Sequence, residues 1–402
     1  MTTLSAWLEG AYVGEFVDDP ASRVVSFEYD SAAPPTPISL SLPRVGGAAT
    51  SAAGRFLGNL LPDREAAREW MRSVTDARST DTFDLLAAVG GDVAGGLVLL
   101  PSGQSASDVE GRLDPADDDA IAFRIRSLHR DPDHWYERSE PARFSLAGSQ
   151  PKFALAGVAG DWYWSNAAVP STHIVKPAAP VNRGAEVAEV AAMRLAAAIG
   201  IAAPRADVLD VLGQQAYIVE RFDRVVEADA IARRIHVEDL AQALGRDSDT
   251  KYGVTAKQVI ELLLRHDAGL ASGYESVRQL AFNTAIGNSD AHAKNYSVLL
   301  RPDGLTLAPL YDSLPTRLWP GYDEKLAMRV SGAAYPQAVT LDHWVKLAKK
   351  SGLDRDRVAD DVKKIYSGVA ERADSAWEGL AADQAELMRR LIRQQTEKVV
   401  GS

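Results

Sequence analysis

The stretch from Phe282 to Asp312, FNTAIGNSDAHAKNYSVLLRPDGLTLAPLYD, holds two carboxylates and a carboxamide at spacings that suit phosphoryl transfer. Asp290 leads, Asn295 follows five positions later, and Asp312 comes after two short apolar runs. Elements must hold these groups in place. Gln279 to Ile286 carries apolar residues at helical intervals, so GNSDAHAKN reads as a loop leaving a buried helix. Tyr296 to Leu300 and Leu305 to Leu310 flank Pro302-Asp303-Gly304, the pattern of a β-hairpin, which brings Asp312 back towards the loop.

In protein kinases an Asp of the catalytic loop orients and deprotonates the attacking hydroxyl, a nearby Asn holds Mg²⁺, and a further Asp holds Mg²⁺ too. Asp290, Asn295 and Asp312 fit those three parts. Asn288, Asp290 and Asn295 also suit the plainer task of capping and turning a surface loop. A lone D-x4-N is a weak pattern, and the hairpin leading to Asp312 is what favours chemistry.

Phe144 to Val158, FSLAGSQPKFALAGV, reads as a strand, a small-residue turn over Ala147 to Lys152, and a second strand. Gly and Ser in such a turn let backbone N–H groups approach an anion, although the segment matches neither the Walker nor the kinase glycine pattern and an ordinary hairpin reads equally well. Thr172 to Lys176 is an apolar strand ending in a lysine, where a kinase lysine would meet the α- and β-phosphates. The helix Glu186 to Ile199 follows, with Glu189 able to face Lys176. Ala216 to Val219 is a strand running into Glu220-Arg221-Phe222-Asp223-Arg224, the place of a hinge between a sheet-rich and a helical lobe.

Upstream, Leu4–Leu8, Tyr12–Phe16, Arg23–Tyr29 and Ile38–Leu42 read as strands, the last from the alternation of ISLSLP. Helices are predicted over Ser51–Leu61, Arg64–Ala77 and Asp81–Val89. Residues 101–120 are rich in Ser, Gly, Pro and Asp and read as an exposed connection, with Asp117 to Asp119 as solvated surface. Downstream the signals are nearly all helical: His236–Leu244, Thr255–His266, Tyr274–Ile286, Leu341–Lys350, Asp356–Ser375 and Ala382–Val399. His173, His236, His266 and His343 stand alone and read as structural.

The 402 residues, 46% of them hydrophobic, can bury large cores in two or three domains. With no cysteine there are no disulfides and no thiolate metal sites, which suits a reducing cytoplasm. No leader and no apolar run of membrane-spanning length is apparent, so the expectation is a soluble cytoplasmic protein with no membrane partner. A formal charge of −11 argues against nucleic-acid binding by the whole surface.

ISLSLP (38–43), FLGNLLPD (56–63), FSLAGSQPK (144–152), THIVK (172–176), VERFDR (219–224), HVEDLAQALG (236–245), IGNSDAHAKNYSV (286–298) and APLYD (308–312) together resemble the HipA family of bacterial toxin kinases. The likeness runs from near residue 4 to about residue 330. It implies an α+β, bilobal protein-kinase-like fold: an N-terminal α/β subdomain (1–105), a connecting segment (106–143), a sheet-containing N-lobe (144–222) and an all-helical C-lobe (223–402). It implies a serine/threonine protein kinase using ATP and Mg²⁺. In that reading Asp290 is the catalytic Asp, Lys176 binds phosphate, and Asn295 and Asp312 are the metal ligands. Ala147, Gly148, Ser149, Gln150 and Lys152 form the phosphate loop. Glu220, Arg221 and Phe222 form the hinge at adenine, and His292, Lys294 and Tyr311 complete the nucleotide pocket. Ser145, or alternatively Ser149, is the autophosphorylation site. The resemblance further implies a separately encoded helix-turn-helix antitoxin resembling HipB, contact with DNA only through it, and a protein substrate such as an aminoacyl-tRNA synthetase. Pro151 in the loop and Val237, where a polar residue is usual, depart from the pattern. A small-molecule kinase of the same broad fold and a catalytically idle corepressor partner of a DNA-binding antitoxin are the other readings.

Overall fold

The computed structural model describes every residue except 1, 20, 23, 106–110, 138–143, 228, 229 and 402. The chain divides into two compact units. One comprises Met1–Ala179, Leu209–Asp249 and Leu299–Asp303, the other Pro180–Val208, Thr250–Val298 and Gly304–Ser402.

In the first unit a four-stranded antiparallel sheet has the order Val24–Tyr29, Ala11–Asp19, Thr2–Leu8, Leu97–Pro101. Helices Ala52–Gly58, Glu65–Val74 and Thr82–Val89 follow its first three strands, the third opened by Asp81, whose carboxylate accepts from Phe83 N. A six-stranded sheet runs Asp114–Pro115, Asp161–Trp164, Phe153–Val158, His173–Lys176, Gln214–Glu220, Ala206–Val211. One continuous core serves both sheets, from Leu4, Phe16, Phe56 and Leu86 to Phe144, Phe153, Val175 and Ile218. The same core takes in Val211, Ala216 and Ile218 from the strands beyond residue 205.

The second unit is mainly helical. Arg355–Ala376 packs against Ala185–Ala198, Ala271–Ala285, Leu341–Ser351 and Ala382–Val400, with Trp344, Tyr366 and Trp377 fully buried. Ala256–His266 begins at a capping box in which Thr255 and Gln258 satisfy each other's backbone amides. The hairpin strands are Ser297–Arg301 and Gly304–Leu307.

Four local expectations differ from the structure. Ile38–Leu42 is a tight turn, with a single bridge from Ser39 to Leu42, because its polar positions are taken by Glu238: Ser39 Oγ and Leu40 N donate to that carboxylate at 2.5 and 2.9 Å. Phe144–Leu146 is not a strand; Ser145 N donates to Asp92 O and Gly148 bridges to Pro62. His236–Leu244 is helical only over Leu240–Ala243 and begins as the strand Val237–Asp239. The segment 106–143 is more than a connection, since Asp118–Arg130 is a helix whose N-cap Asp117 accepts from Ala120 N. The acidic run thus opens a helix, where carboxylates favour the free amides and the dipole. Its residues 106–110 and 138–143 lie outside the described residues.

Candidate active site

The helix Ala271–Ala285 ends at Ile286, and the chain then turns at Gly287, whose φ of +74° is open to glycine without strain. A Cβ there would also meet Arg317 Cγ at 3.0 Å. Beyond the turn, side chains replace the lost helical hydrogen bonds. Asn288 N donates to Asn283 O at 2.8 Å, and Asn288 Nδ2 to Asn283 Oδ1 at 2.9 Å. Asp290 N donates to Asn288 Oδ1 at 3.1 Å, while Asp290 O accepts from His292 N at 2.8 Å and from Asn295 Nδ2 at 3.3 Å. Both backbone groups of Asp290 are therefore held, and its carboxylate stands at the half-exposed edge of a buried loop.

The far side of the loop is anchored to the segment after the hairpin. Ser289 N donates to Thr316 Oγ1, which donates to Gly287 O. Asn288 Nδ2 lies 3.4 Å from Asp312 O, and Ser313 Oγ donates to Asn283 Oδ1 at 2.8 Å. Asp312 itself has a φ of +55°, a left-handed conformation that costs a non-glycine residue energy and is kept where surroundings over-determine it. Asn288 thus ties the backbone of Asp290 to that of Asp312, and Asn295 bonds the carbonyl of Asp290. Tyr311 Oη bonds Lys294 O and Ser297 Oγ, both at 2.7 Å, so it braces the loop. His292, Lys294 and Asn295 are buried.

Sequence reasoning missed three residues here. Asn283 and Thr316 are the polar hubs; the available signal was an Asn near the end of the helix before the loop, and a Thr four residues after the second Asp. The third is Tyr252, at 54% exposure, whose hydroxyl donates to Asp290 Oδ1 at 2.8 Å.

The other predicted groups lie in the first unit. Lys152 Nζ donates to Ala147 O at 2.8 Å and sits 4.9 Å above the buried Trp135 ring, closing the loop Ala147–Lys152 on itself. Gly148 has a φ of +103°, and a Cβ there would stand 2.9 Å from Lys152 Nζ. Ser149 is exposed, whereas Ser145 is fully buried and donates to Leu60 O at 2.7 Å. Lys176 pairs in register with Tyr217, with its Nζ 5.2 Å above that ring. Glu220 and Phe222 are half-buried.

At the expected hinge, the Arg221 guanidinium sits in a buried ion cluster: it donates to both Asp223 oxygens at 2.9 and 2.7 Å, to Ser171 Oγ at 2.9 Å and to Val93 O at 3.0 Å. Its amide is likewise taken, by Thr172 O. Arg224 donates to Asp92 Oδ1 at 2.9 Å, and Arg234 lies 3.6 Å from the same atom. Burial alone would raise the carboxyl of Asp223, but Arg221 and Arg224 outweigh it and hold it far below the usual range. Asp92 is lowered in the same way by Arg224, Arg221 and Arg234 against its own burial. A guanidinium placed this way fixes the chain that leaves the strand Gln214–Glu220.

Among the described residues no helix is long and apolar enough to cross a membrane. Residues 144–377 match the family of HipA-like C-terminal domains, and residues 4–100 match the HipA N-terminal domain. A kinase-named protein of Sinorhizobium fredii, Y4mE, is 34% identical over 384 residues, covering 92% of this chain and 90% of its own. The serine/threonine-protein kinase toxin HipA of Shewanella oneidensis is 27% identical over 383 residues, 90% of this chain and 86% of its own. A solved complex of HipA, HipB and operator DNA from Shewanella oneidensis MR-1 contains a chain that superposes with a TM-score of 0.83 at 24% identity, covering 99% of this chain and 97% of that one. That likeness shows the fold.

Proposed function

The chain belongs to the HipA family of kinase toxins, and from that premise we propose that it is an ATP- and Mg²⁺-dependent serine/threonine protein kinase, the toxin of a toxin–antitoxin pair. The observation that carries the reading is the loop in which Asp290 has both backbone groups pinned and its carboxylate outward, with Asn295 bonded to its carbonyl and Asp312 strained beside it. Asp290 Oδ1 orients an acceptor hydroxyl towards the γ-phosphorus of ATP and takes its proton. In this reading Lys294 would meet the γ-phosphate, and the family resemblance assigns Lys176 and the loop Ala147–Lys152 to the remaining phosphates and Glu220, Arg221 and Phe222 to the adenine hinge.

The donor set suits the metal. Asn295 and Asp312 offer the oxygen donors that Mg²⁺ takes, and they would hold it together with phosphate oxygens and water. When bound it neutralises charge on the transferring phosphoryl group.

Two loop serines are available for autophosphorylation. Ser145 is modified only after the loop leaves Leu60 O and Asp92 O, and a phosphate there, carrying nearly two charges, keeps it out and expels nucleotide. Ser149 is exposed from the start and is the alternative. The Shewanella complex supports a HipB-like partner, which would carry the contact with DNA. Protein substrates of the aminoacyl-tRNA synthetase kind fit the family reading. Cytoplasmic action accords with both.

The test is direct. With Mg²⁺ and labelled ATP, the wild type labels itself or a lysate protein. Asp290→Ala and Asp312→Ala lose labelling by roughly a thousandfold or more, because positioning group and metal clamp act as a unit. ATP binding survives Asp290→Ala better than Asp312→Ala. Equal labelling by all three proteins would refute the assignment.

A further inference from the structure

The side chain of Tyr252 is far more exposed than any other group at the catalytic loop that the hydrogen bonds above involve, and it makes a bond that the chemistry reserves for something else. Its hydroxyl donates to Asp290 Oδ1 at 2.8 Å. That is the hydrogen bond an acceptor hydroxyl must make before transfer. The ring stands edge-on to His292, centroids 5.0 Å apart at 87°, with Lys251 Nζ 5.3 Å from its centroid. Both are non-covalent contacts to buried neighbours that can part and re-form.

Two roles suit such a bond. A positioning residue would be needed to hold Asp290, but Asp290 is already held through its own N–H and C=O by Asn288, His292 and Asn295. An occupant of the acceptor position would have the features seen here: an O–H aimed at the catalytic oxygen, a half-exposed side chain, and a place near the end of the short 3-10 helix Ser248–Gly253 from which it can turn away.

We propose that Tyr252 is a built-in placeholder for the acceptor: its phenol fills the hydroxyl subsite at Asp290 when no substrate is bound, excludes water there, and is displaced by an incoming serine or threonine. This rests on Asp290 being the catalytic group. The idle reaction it suppresses is hydrolysis. Water attacks the γ-phosphorus, the new O–P bond forms as the bond to the β–γ bridging oxygen breaks, ADP leaves, and the water's proton passes to Asp290.

The test uses the full chain with Mg²⁺ and ATP, with water or dephosphorylated casein as acceptor and Asp290→Asn as background. Tyr252→Phe keeps the ring and removes the O–H. It is expected to raise ATP hydrolysis above background by about three- to tenfold over wild type and to lower the KM for casein by a similar factor, because the competitor is gone; Tyr252→Ala should do the same, showing that the hydroxyl rather than packing is at issue. A fall in kcat with KM and hydrolysis unmoved would make Tyr252 a positioning residue and overturn the proposal, as would hydrolysis by both variants no higher than wild type. Raised hydrolysis in both variants with no phosphoserine or phosphothreonine on casein or any lysate protein would instead uphold the placeholder and refute the protein-kinase reading.

Discussion

Charge is used in opposite ways by the hinge of the first unit and the catalytic loop of the second. Around the hinge, the carboxylates of Asp92 and Asp223 and the guanidiniums of Arg221, Arg224 and Arg234 are sealed away, each side chain 12% exposed or less, and each partnered by an opposite charge. The loop around Asp290 is instead held by neutral groups, Asn283, Asn288, Asn295 and Thr316, which bond its backbone. The difference teaches where a protein can afford ionic glue. A buried pair fixes geometry at a desolvation cost and leaves neither member available. A carboxylate that must meet a proton or a cation has to be positioned through its backbone.

Removing charge from each region should separate these roles. Asp92→Ala strips Arg224 and Arg234 of a buried partner and leaves Ser171 N unsatisfied, so about 3–5 kcal/mol of stability should be lost, read as a lower urea midpoint. Asp290→Ala should leave that midpoint nearly unchanged while abolishing transfer. If Asp92→Ala unfolded no more easily than Asp290→Ala, the contrast between structural and functional charge would fail.

A smaller effect, set by pH, comes from Glu238, the buried carboxyl that accepts from Ser39 and Leu40. Burial pushes it up to about 8, against hydrogen bonds from Leu40 and Ser39 that lower it. The folded state therefore binds a proton that the unfolded state releases above about 4.5, and stability falls as pH rises through that window, with each unit of displacement worth about 1.4 kcal/mol. Glu238→Gln should remove the decline, so the melting-temperature difference between variant and wild type should widen from pH 5 to 8. His236, held neutral by burial and lowered to about 4, works in the opposite direction: stability falls as pH drops from about 6.5. A wild type and a Gln variant with parallel pH profiles would show that Glu238 is not neutral in the fold.

The smallest change should come from Thr255→Ala, which removes the N-cap of Ala256–His266. Its hydroxyl accepts from Gln258 N at 3.3 Å at an exposed helix start, so about 1 kcal/mol of stability should go, with transfer untouched. Loss of activity there would mean that the helix start does more than hold the helix.

Most elements were legible because their signals are local. The helices from Thr255 to Val399 were found within a residue or two at most ends, and the hairpin before Asp312 was announced by Pro302-Asp303-Gly304. The misses share a cause. ISLSLP alternates like a strand, but Glu238, nearly two hundred residues away, claims its amides and hydroxyl. His236–Leu244 has helical spacing, but its first residues extend as a strand before the Asp239 cap. The helix Asp118–Arg130 was hidden because three aspartates in a Ser-, Gly- and Pro-rich stretch look like surface until the residues after them are seen to bury Ile121, Ile125 and Leu128.

The sequence alone determined the order and types of the groups in the catalytic loop, since Asp290, Asn295 and Asp312 are separated by a turn and a hairpin that local propensities build unaided. Tertiary structure decided what each group is free to do. Arg221 was spent on Asp223 because the chain around Ser171 and Val93 closes over it, and Tyr252 came to Asp290 across 38 residues. Pairings of that range follow from which surfaces pack together, and no local spacing encodes them.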